Sequence, residues 1–424
     1  MSKHPKQLTK TSTHPEITNG NKCYTLKGAV YGVYTDASCT NEYGRITTDD
    51  KGKGSITGLP FGTYWIREIT PPTGYYKDDT IYPKGGQGLS ITETNDAVTT
   101  VRVETQDKPM DDPAGIEISK IWDGAKTDTV PPLDGTQFTI CYYDGYFTKD
   151  NLPDFDSYQS TAKRKWVIEV KYNPNTKKYI AGLLDNYLVK DISNELYKRG
   201  GQPILPLGTI SIQETKPAPG YTLEGEFTDA HGNKFSPKEK YVTQIVDSTS
   251  GVKVQGGNKY SAENTPVYGS IKLKKLDSDG KTPLPQAQFE IRNKAGDYIT
   301  TKTTDLKGEV LFSDLYPDVY TITEVKTPGG RTLLKEPIVV RVPTYLTEEE
   351  VNKYGVDKDN CIYDPKTQKY LIHDFTYTVT NHSTFDIPST GGFTNWMTFL
   401  PLIAGLGILL SLGIFGFYYQ KRRY

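Results

Sequence analysis

Sulfur is scarce in this chain, with three methionines and four cysteines in 424 residues. Cys23, Cys39, Cys141 and Cys361 are scattered rather than spaced as metal ligands, so they frame no zinc or iron–sulfur motif. Cys23 and Cys39 flank one expected strand pair and can form a disulfide; four free buried thiols are the alternative. Cys141 and Cys361 fall in different expected domains and are read as unpaired. Excess charge is missing too. Lysine plus arginine (50) almost cancel aspartate plus glutamate (51), which leaves no electrostatic footprint for nucleic acid. Five histidines with no serine or cysteine motif around them give no case for a hydrolase or metal enzyme, and no cofactor is expected.

What is abundant points one way. Thirty-one tyrosines, 39 glycines and 27 prolines are the profile of turn-rich β-sandwiches facing an oxidising exterior (tyrosine 31). The length suggests about three domains. We place them at residues 1–112, 113–267 and 268–384, with proline-marked linkers at residues 109–113 and 265–266. The middle domain is longer because residues 143–200 are inserted between its early strands. That insertion carries Tyr143, Tyr146, Phe147, Phe155, Tyr158 and Trp166, and is expected to end in a short helix near residues 192–198. In the third domain Thr347-Glu348-Glu349-Glu350 reads as a capping-box helix start closed by Gly355.

Three glutamates sit where an apolar residue belongs. Residues two apart in a strand share a face, so Glu68, Glu214 and Glu324 point with the apolar and aromatic residues before them in Tyr64-Trp65-Ile66-Arg67-Glu68, Ile210-Ser211-Ile212-Gln213-Glu214 and Tyr320-Thr321-Ile322-Thr323-Glu324. Carboxylates are seldom buried without a partner. By the same parity, Lys10, Lys120 and Lys275 close inward alternations upstream, and Asp107, Asn264 and Asn381 close them downstream. The order lysine, glutamate, amide or acid repeats three times. An ordinary buried ion pair explains any one triplet, but explains three ordered triplets poorly.

Burial favours a neutral lysine amine, which is a nucleophile, and a neutral carboxylic acid, which can donate a hydrogen bond and shuttle a proton. The amine can then attack the side-chain carbonyl of Asn264 or Asn381 and release ammonia, or that of Asp107 and release water. Proximity in a dry core supplies the effective concentration. The product is an isopeptide bond between two strands, made once per molecule, so the chain is not read as a turnover enzyme.

The segments around these glutamates resemble the SpaA/Cna B-type domains of Gram-positive pilins and surface adhesins. Leu59-Pro60-Phe61-Gly62-Thr63-Tyr64 running to Pro72-Thr73-Gly74-Tyr75, and Leu205-Pro206-Leu207-Gly208-Thr209 running to Pro219-Gly220-Tyr221, carry the likeness. Residues 315–330 match less well, with Val319-Tyr320 for the usual Gly-x-Tyr and Arg331 in place of the tyrosine. Each copy also has the family's earlier strand: Gly28-Ala29-Val30-Tyr31, Gly135-Thr136-Gln137-Phe138 and Gln286-Ala287-Gln288-Phe289. The resemblance implies tandem immunoglobulin-like sandwiches, an all-β fold. It also implies that Lys10–Asp107, Lys120–Asn264 and Lys275–Asn381 form isopeptide bonds catalysed by Glu68, Glu214 and Glu324.

The C-terminal residues 385–424 carry an address. Ile387-Pro388-Ser389-Thr390-Gly391-Gly392 precedes residues 396–419, an almost wholly apolar stretch long enough for a transmembrane helix. Lys421, Arg422 and Arg423 follow, favouring the cytoplasmic side. Motif, span and basic tail resemble a cell-wall sorting signal, which implies cleavage by a sortase between Thr390 and Gly391 and attachment to peptidoglycan; a plain membrane anchor is the alternative. At the other end, Met1-Ser2-Lys3-His4-Pro5 has no apolar signal-peptide core, which reads as a truncated gene model or a fragment of a longer adhesin.

Two weaker signals remain. Ile81-Tyr82-Pro83-Lys84 resembles the pilin motif whose lysine accepts a sortase-linked neighbour, although an exposed strand with a proline is the simpler account of Lys84. Asp277-Ser278-Asp279-Gly280 hints at a calcium loop but lacks the terminal glutamate and reads as a turn. The leading functional reading is a covalently stapled, wall-anchored stalk or pilin with sortase, peptidoglycan and other pilins as partners. The competing one is an adhesin module that uses the insertion to bind a host or matrix ligand.

Overall fold

A computed structural model describes residues 4–92, 101–122, 130–248, 251–365 and 367–381. The chain divides into two compact units. The first draws on residues up to 121 with 136–216 and 224–263; the second on residues up to 135 from 122, 217–223 and those from 264. Strands dominate both, as the expected all-β class requires.

In the first unit, strand β1 (His4–Ser12) runs at the centre of a three-stranded sheet. It is antiparallel to Lys53–Leu59 on one side. The facing sheet centres on β2 (Val30–Tyr34) and β3 (Gly62–Thr70), flanked by Glu42–Thr47 and Ile81–Tyr82. The last strand, β4 (Val101–Asp107), returns to lie parallel to β1. Burial along β3 alternates, so Tyr64, Ile66 and Glu68 face the core shared with Leu8, Tyr31, Val33 and Val103.

A second sandwich in the same unit repeats this plan on a larger scale. Strands β5 (Glu117–Trp122), β6 (Gln137–Tyr143), β7 (Gly208–Lys216) and β8 (Lys259–Asn264) hold the equivalent places. Strand β5 lies beside β8 in a six-stranded sheet, and β6 beside β7 in a five-stranded one. The insertion enlarges the sandwich. Arg164–Glu169 pairs with β6, and Lys178–Gly182 pairs with β5. Trp166, Ile168, Ala181 and Leu183 join the core, while Phe147, Phe155 and Tyr158 ring the buried Tyr143. Tyr146 is exposed.

One expectation fails here. The helix expected near residues 192–198 is a three-residue turn at Lys190–Ile192, and Lys198–Arg199 is a strand. Asn194 donates its N–H to Lys165 and accepts the Lys165 N–H with its side chain, so the backbone is committed to a neighbouring strand. Leu196 and Tyr197 are both buried, a pattern that one face of a surface helix does not supply. The linker at residues 109–113, expected to be stiffened by its prolines, is held by strand pairing. Asp111–Pro113 pairs with Gln202–Pro206, and Asp111 forms an ion pair with Arg199. Tyr24 clamps this joint, donating to the Met110 carbonyl at 2.5 Å and accepting the Leu207 N–H at 2.8 Å.

The second unit repeats the first plan closely. Strand β9 (Gly269–Leu276) lies between Glu309–Leu315 and a parallel last strand. Opposite it, β10 (Gln288–Asn293) and β11 (Asp318–Lys326) are central to a four-stranded sheet, and β12 (Asp374–Thr380) is the parallel last strand. The helix Glu348–Tyr354 has the expected capping box between Thr347 and Glu350 and ends at Gly355. Asp277, of the faint calcium loop, is bonded instead to the Arg331 guanidinium. Among the described residues no helix is long and apolar enough to cross a membrane. The expected membrane span (396–419) and sortase residues (387–391) lie outside the described residues.

Candidate functional site

The three lysines and three glutamates meet as pairs. Lys10 Nζ donates to Glu68 Oε1 at 2.8 Å, Lys120 Nζ to Glu214 Oε2 at 2.7 Å, and Lys275 Nζ to Glu324 Oε2 at 3.3 Å. All six side chains are fully shielded from solvent. Each lysine comes from the central strand of one sheet and each glutamate from the facing sheet, so every pair spans its sandwich.

The acceptors lie alongside to different degrees. In the first site Lys10 Nζ forms a close ion pair with Asp107 Oδ2, without hydrogen-bond alignment. In the third, Lys275 Nζ donates to Asn381 Oδ1, and Asn381 Nδ2 donates to Glu324 Oε1 at 3.1 Å and to Thr327 Oγ1 at 2.7 Å. Glu324 therefore touches both the amine and the amide. In the second, Asn264 ends β8, next to β5 in the same sheet. It is fully buried, and its side-chain amide makes no hydrogen bond among the described residues. A buried amide left this way is costly.

Burial also sets the protonation states. Loss of solvent pulls the Lys120 amine down to about 8 against the opposing pull of Glu214. The same cause lowers Lys275, again opposed by Glu324. Desolvation, offset by Lys10 and reinforced by Glu68, pushes the Asp107 carboxyl up to about 7. Each shift moves the group toward its neutral form, the form that amide chemistry uses.

Three features of the site lay beyond the sequence reading. Each glutamate stands directly across the strand pair from an aromatic residue: Tyr31 opposite Glu68, Phe138 opposite Glu214, Phe289 opposite Glu324. In each strand the register shifts at the step into that aromatic, a bulge that re-aims the side chain. The lysine ammonium then sits over the ring, 5.1 Å from the centroid of Tyr31 and 5.7 Å from those of Phe138 and Phe289. Second, one oxygen of the glutamate is held from downstream. Glu68 Oε2 accepts the Asp78 N–H at 2.8 Å, and Glu324 Oε2 accepts the Leu334 N–H at 2.9 Å.

The third feature grips the lysine backbone. Lys10 N–H donates to the Gly52 carbonyl and Lys275 N–H to the Gly308 carbonyl. Both glycines have left-handed φ, and a Cβ on either would come within 2.3 Å of the lysine carbonyl oxygen. Asp49 and Asp305 brace the two turns by accepting backbone N–H groups from Lys51 and Lys53, and from Lys307 and Glu309. The recurring Asp-x-x-Gly spacing was the available signal.

The family-model comparison agrees with this repetition. Residues 17–104 and 269–355 match the SpaA model, described as a prealbumin-like fold domain. Both segments are SpaA domains. They fall in the first and third sandwiches. Among solved structures the chain is similar to the Bacillus anthracis TIE protein, at 19% identity over 90% of this chain and 51% of that one, TM-score 0.43. It thus spans about half of that protein's length. It is also similar to BcpA, the major pilin subunit of Bacillus cereus, at 17% identity, 90% and 100% coverage and TM-score 0.28. SpaD, the major pilin of Corynebacterium diphtheriae, gives 14%, 90% and 98%, and 0.23. No curated protein matches the chain.

The remaining expected sites fare differently. Cys23 and Cys39 are both free thiols, so of the two readings the structure follows the unpaired one. Cys23 packs with Ile17, Tyr24 and Tyr75 in the core that also holds Tyr142, whereas Cys39 sits in the turn braced by Asp36 after β2. Lys84 lies exposed in the turn after Ile81–Tyr82, its ammonium 5.8 Å from the Tyr82 ring.

Proposed function

We propose that this SpaA-domain protein is a stalk or pilin-type subunit of a Gram-positive surface, stapled by three self-formed isopeptide bonds and attached to the wall by a sortase. The observation that carries the reading is Glu324, whose two oxygens contact the Lys275 amine and the Asn381 amide at once. In this reading the glutamic acid polarises the amide, the neutral amine attacks its carbon, and the shuttled proton leaves with ammonia. Amine plus carboxamide gives secondary amide plus ammonia, so atoms and charge balance. At Lys10 and Asp107 the balance is ammonium plus carboxylate to amide plus water.

The domain bounds proposed are 1–112, 113–267 and 268–384, followed by the sorting signal. In each domain the bond ties the first strand to the last. It closes a loop on the order of a hundred residues, worth about 4–5 kcal/mol on the chain-entropy model. The role is structural, with each site reacting once. The insertion reading as a ligand-binding adhesin surface is less favoured, because Tyr143 and Trp166 are consumed by the core. Intact-mass measurement of residues 1–384, with peptide mapping, tests the proposal. The expected mass is that of the sequence less two ammonias and one water. An unmodified mass ends the staple reading.

A further inference from the structure

The first site differs from the other two in a pair of residues, and the difference rests on the staple reading for its meaning. Where the second and third sites have phenylalanine over the lysine and asparagine as acceptor, the first has Tyr31 and Asp107. The added hydroxyl is engaged. Lys10 Nζ donates to Tyr31 Oη at 2.7 Å, and Tyr31 Oη exchanges a hydrogen bond with Thr105 Oγ1 at 2.9 Å. Tyr31, Thr105, Lys10, Glu68 and Asp107 are all buried. Thr105 is the residue of β4 that pairs in register with Lys10 of β1.

The chemistry explains why a hydroxyl belongs here. An amide acceptor can be gripped by the glutamate, as Asn381 is, because its Nδ2 carries hydrogens to donate to Glu324. An ionised carboxylate acceptor has none, and two ionised carboxylates repel. Until Asp107 takes up a proton, Glu68 therefore cannot hold it as Glu324 holds Asn381, and in that state the orientation comes from the amine. An ammonium has three N–H donors. Here one points to Glu68 and one to Tyr31, which leaves the third for Asp107, whose Oδ2 lies beside the ammonium as an ion pair.

We propose that Tyr31, tied to Thr105, is the positioning residue that fits the first site to a carboxylate acceptor. With two N–H groups held, the proton that leaves the ammonium is the one facing Asp107. Its transfer to the carboxylate neutralises both partners. The freed lone pair can then attack the Asp107 carboxyl carbon; the C–N bond forms, the nitrogen passes a second proton through Glu68 to the leaving hydroxyl, the C–O bond breaks, and one water departs.

The test follows all three sites in one molecule. Full-length chain recovered unfolded and uncrosslinked is diluted into refolding buffer, digested at intervals, and the three cross-linked peptides are quantified by mass spectrometry. Tyr31→Phe is expected to slow the Lys10–Asp107 bond by about ten- to a hundredfold, the scale of a lost orienting contact. The Lys120–Asn264 and Lys275–Asn381 bonds should keep their wild-type rates. Tyr31→Phe combined with Asp107→Asn should restore first-site closure, now with loss of ammonia. The double variant also shows that phenylalanine at this place folds. An unchanged first-site rate in Tyr31→Phe overturns the assignment. So does a double variant that fails at the first site while the other two close. A wild-type chain that closes no site overturns the staple reading itself.

Discussion

Leu334 donates its backbone N–H to Glu324 Oε2, ten residues along the chain, and Asp78 does the same for Glu68. The glutamate that faces the lysine is thus fixed by a segment outside its own strand. That leaves Oε1 of Glu324 free to take the amide N–H of Asn381.

Replacing this carboxyl isolates its role. Glu324→Gln keeps the size and the capacity to accept the Leu334 N–H but cannot shuttle a proton. We expect a folded domain without the Lys275–Asn381 bond, and a total mass higher than wild type by one ammonia, apart from the substitution itself. The variant should be cut by protease at a lower temperature. Recovery of the Lys275–Asn381 peptide would show that Glu324 is not the shuttle.

The glycine turns make a steric prediction. Gly308→Ala puts a Cβ within 2.3 Å of the Lys275 carbonyl oxygen at a left-handed φ. Strain of this kind costs about 1–3 kcal/mol. Denaturant unfolding of a bond-free background, such as Asn381→Ala, should show a loss of at least that size. Slower closure of the third site alone is expected in the otherwise wild-type chain. An Ala variant as stable as its parent would mean that the turn does not grip the lysine.

Protonation gives a signed prediction. Lys120 is held at about 8 in the folded state, below the usual lysine range, by burial. Between that value and the unfolded one, about 10.4, the unfolded chain binds more protons, so raising pH across this window stabilises the fold. Below the window the buried charge is a constant cost. In the bond-free Asn264→Ala variant, Tm compared with Asn264→Ala/Lys120→Met should show a deficit that shrinks from about pH 8 upward. A deficit constant with pH would place the Lys120 amine outside the proposed range.

The anchor can be tested by fractionation. Replacing Thr390 and Gly391 by alanines, in a host carrying its sortase, should move the protein from the wall to the membrane fraction. Release of the wild type by detergent alone, without wall-degrading enzyme, would identify a simple membrane protein.

Much of the candidate site was legible because a strand repeats every two residues. Parity alone turned Glu68, Glu214 and Glu324 inward, and the same count served the lysines and their acceptors. What the count does not carry is which residue stands opposite which. The bulges before Tyr31, Phe138 and Phe289 shift the register by one, so the lysine–aromatic contact has no signature in any single strand. Gly52 and Gly308 were hidden for a related reason, since their importance lies in the strand they touch. The Cys23–Cys39 pairing, one of two readings, does not form, because Cys23 packs with Ile17, Tyr24 and Tyr75 while Cys39 lies in the turn at Asp36, a separation that spacing along the chain does not carry. The missing helix near residue 194 was lost to a tertiary hydrogen bond that local propensity does not register.

The N–H groups of Asp78 and Leu334 belong to segments that follow β3 and β11 and must settle onto the sandwich before either glutamate is held. If the staple forms, closure of each of these domains depends on its late-placed parts, not only on the two strands that the bond would join. A copy in which that segment has gone astray would stay open and digestible, while a correctly finished one becomes permanent. On the staple reading, the chemistry acts as an inspection step, committing only molecules that have already reached their native arrangement.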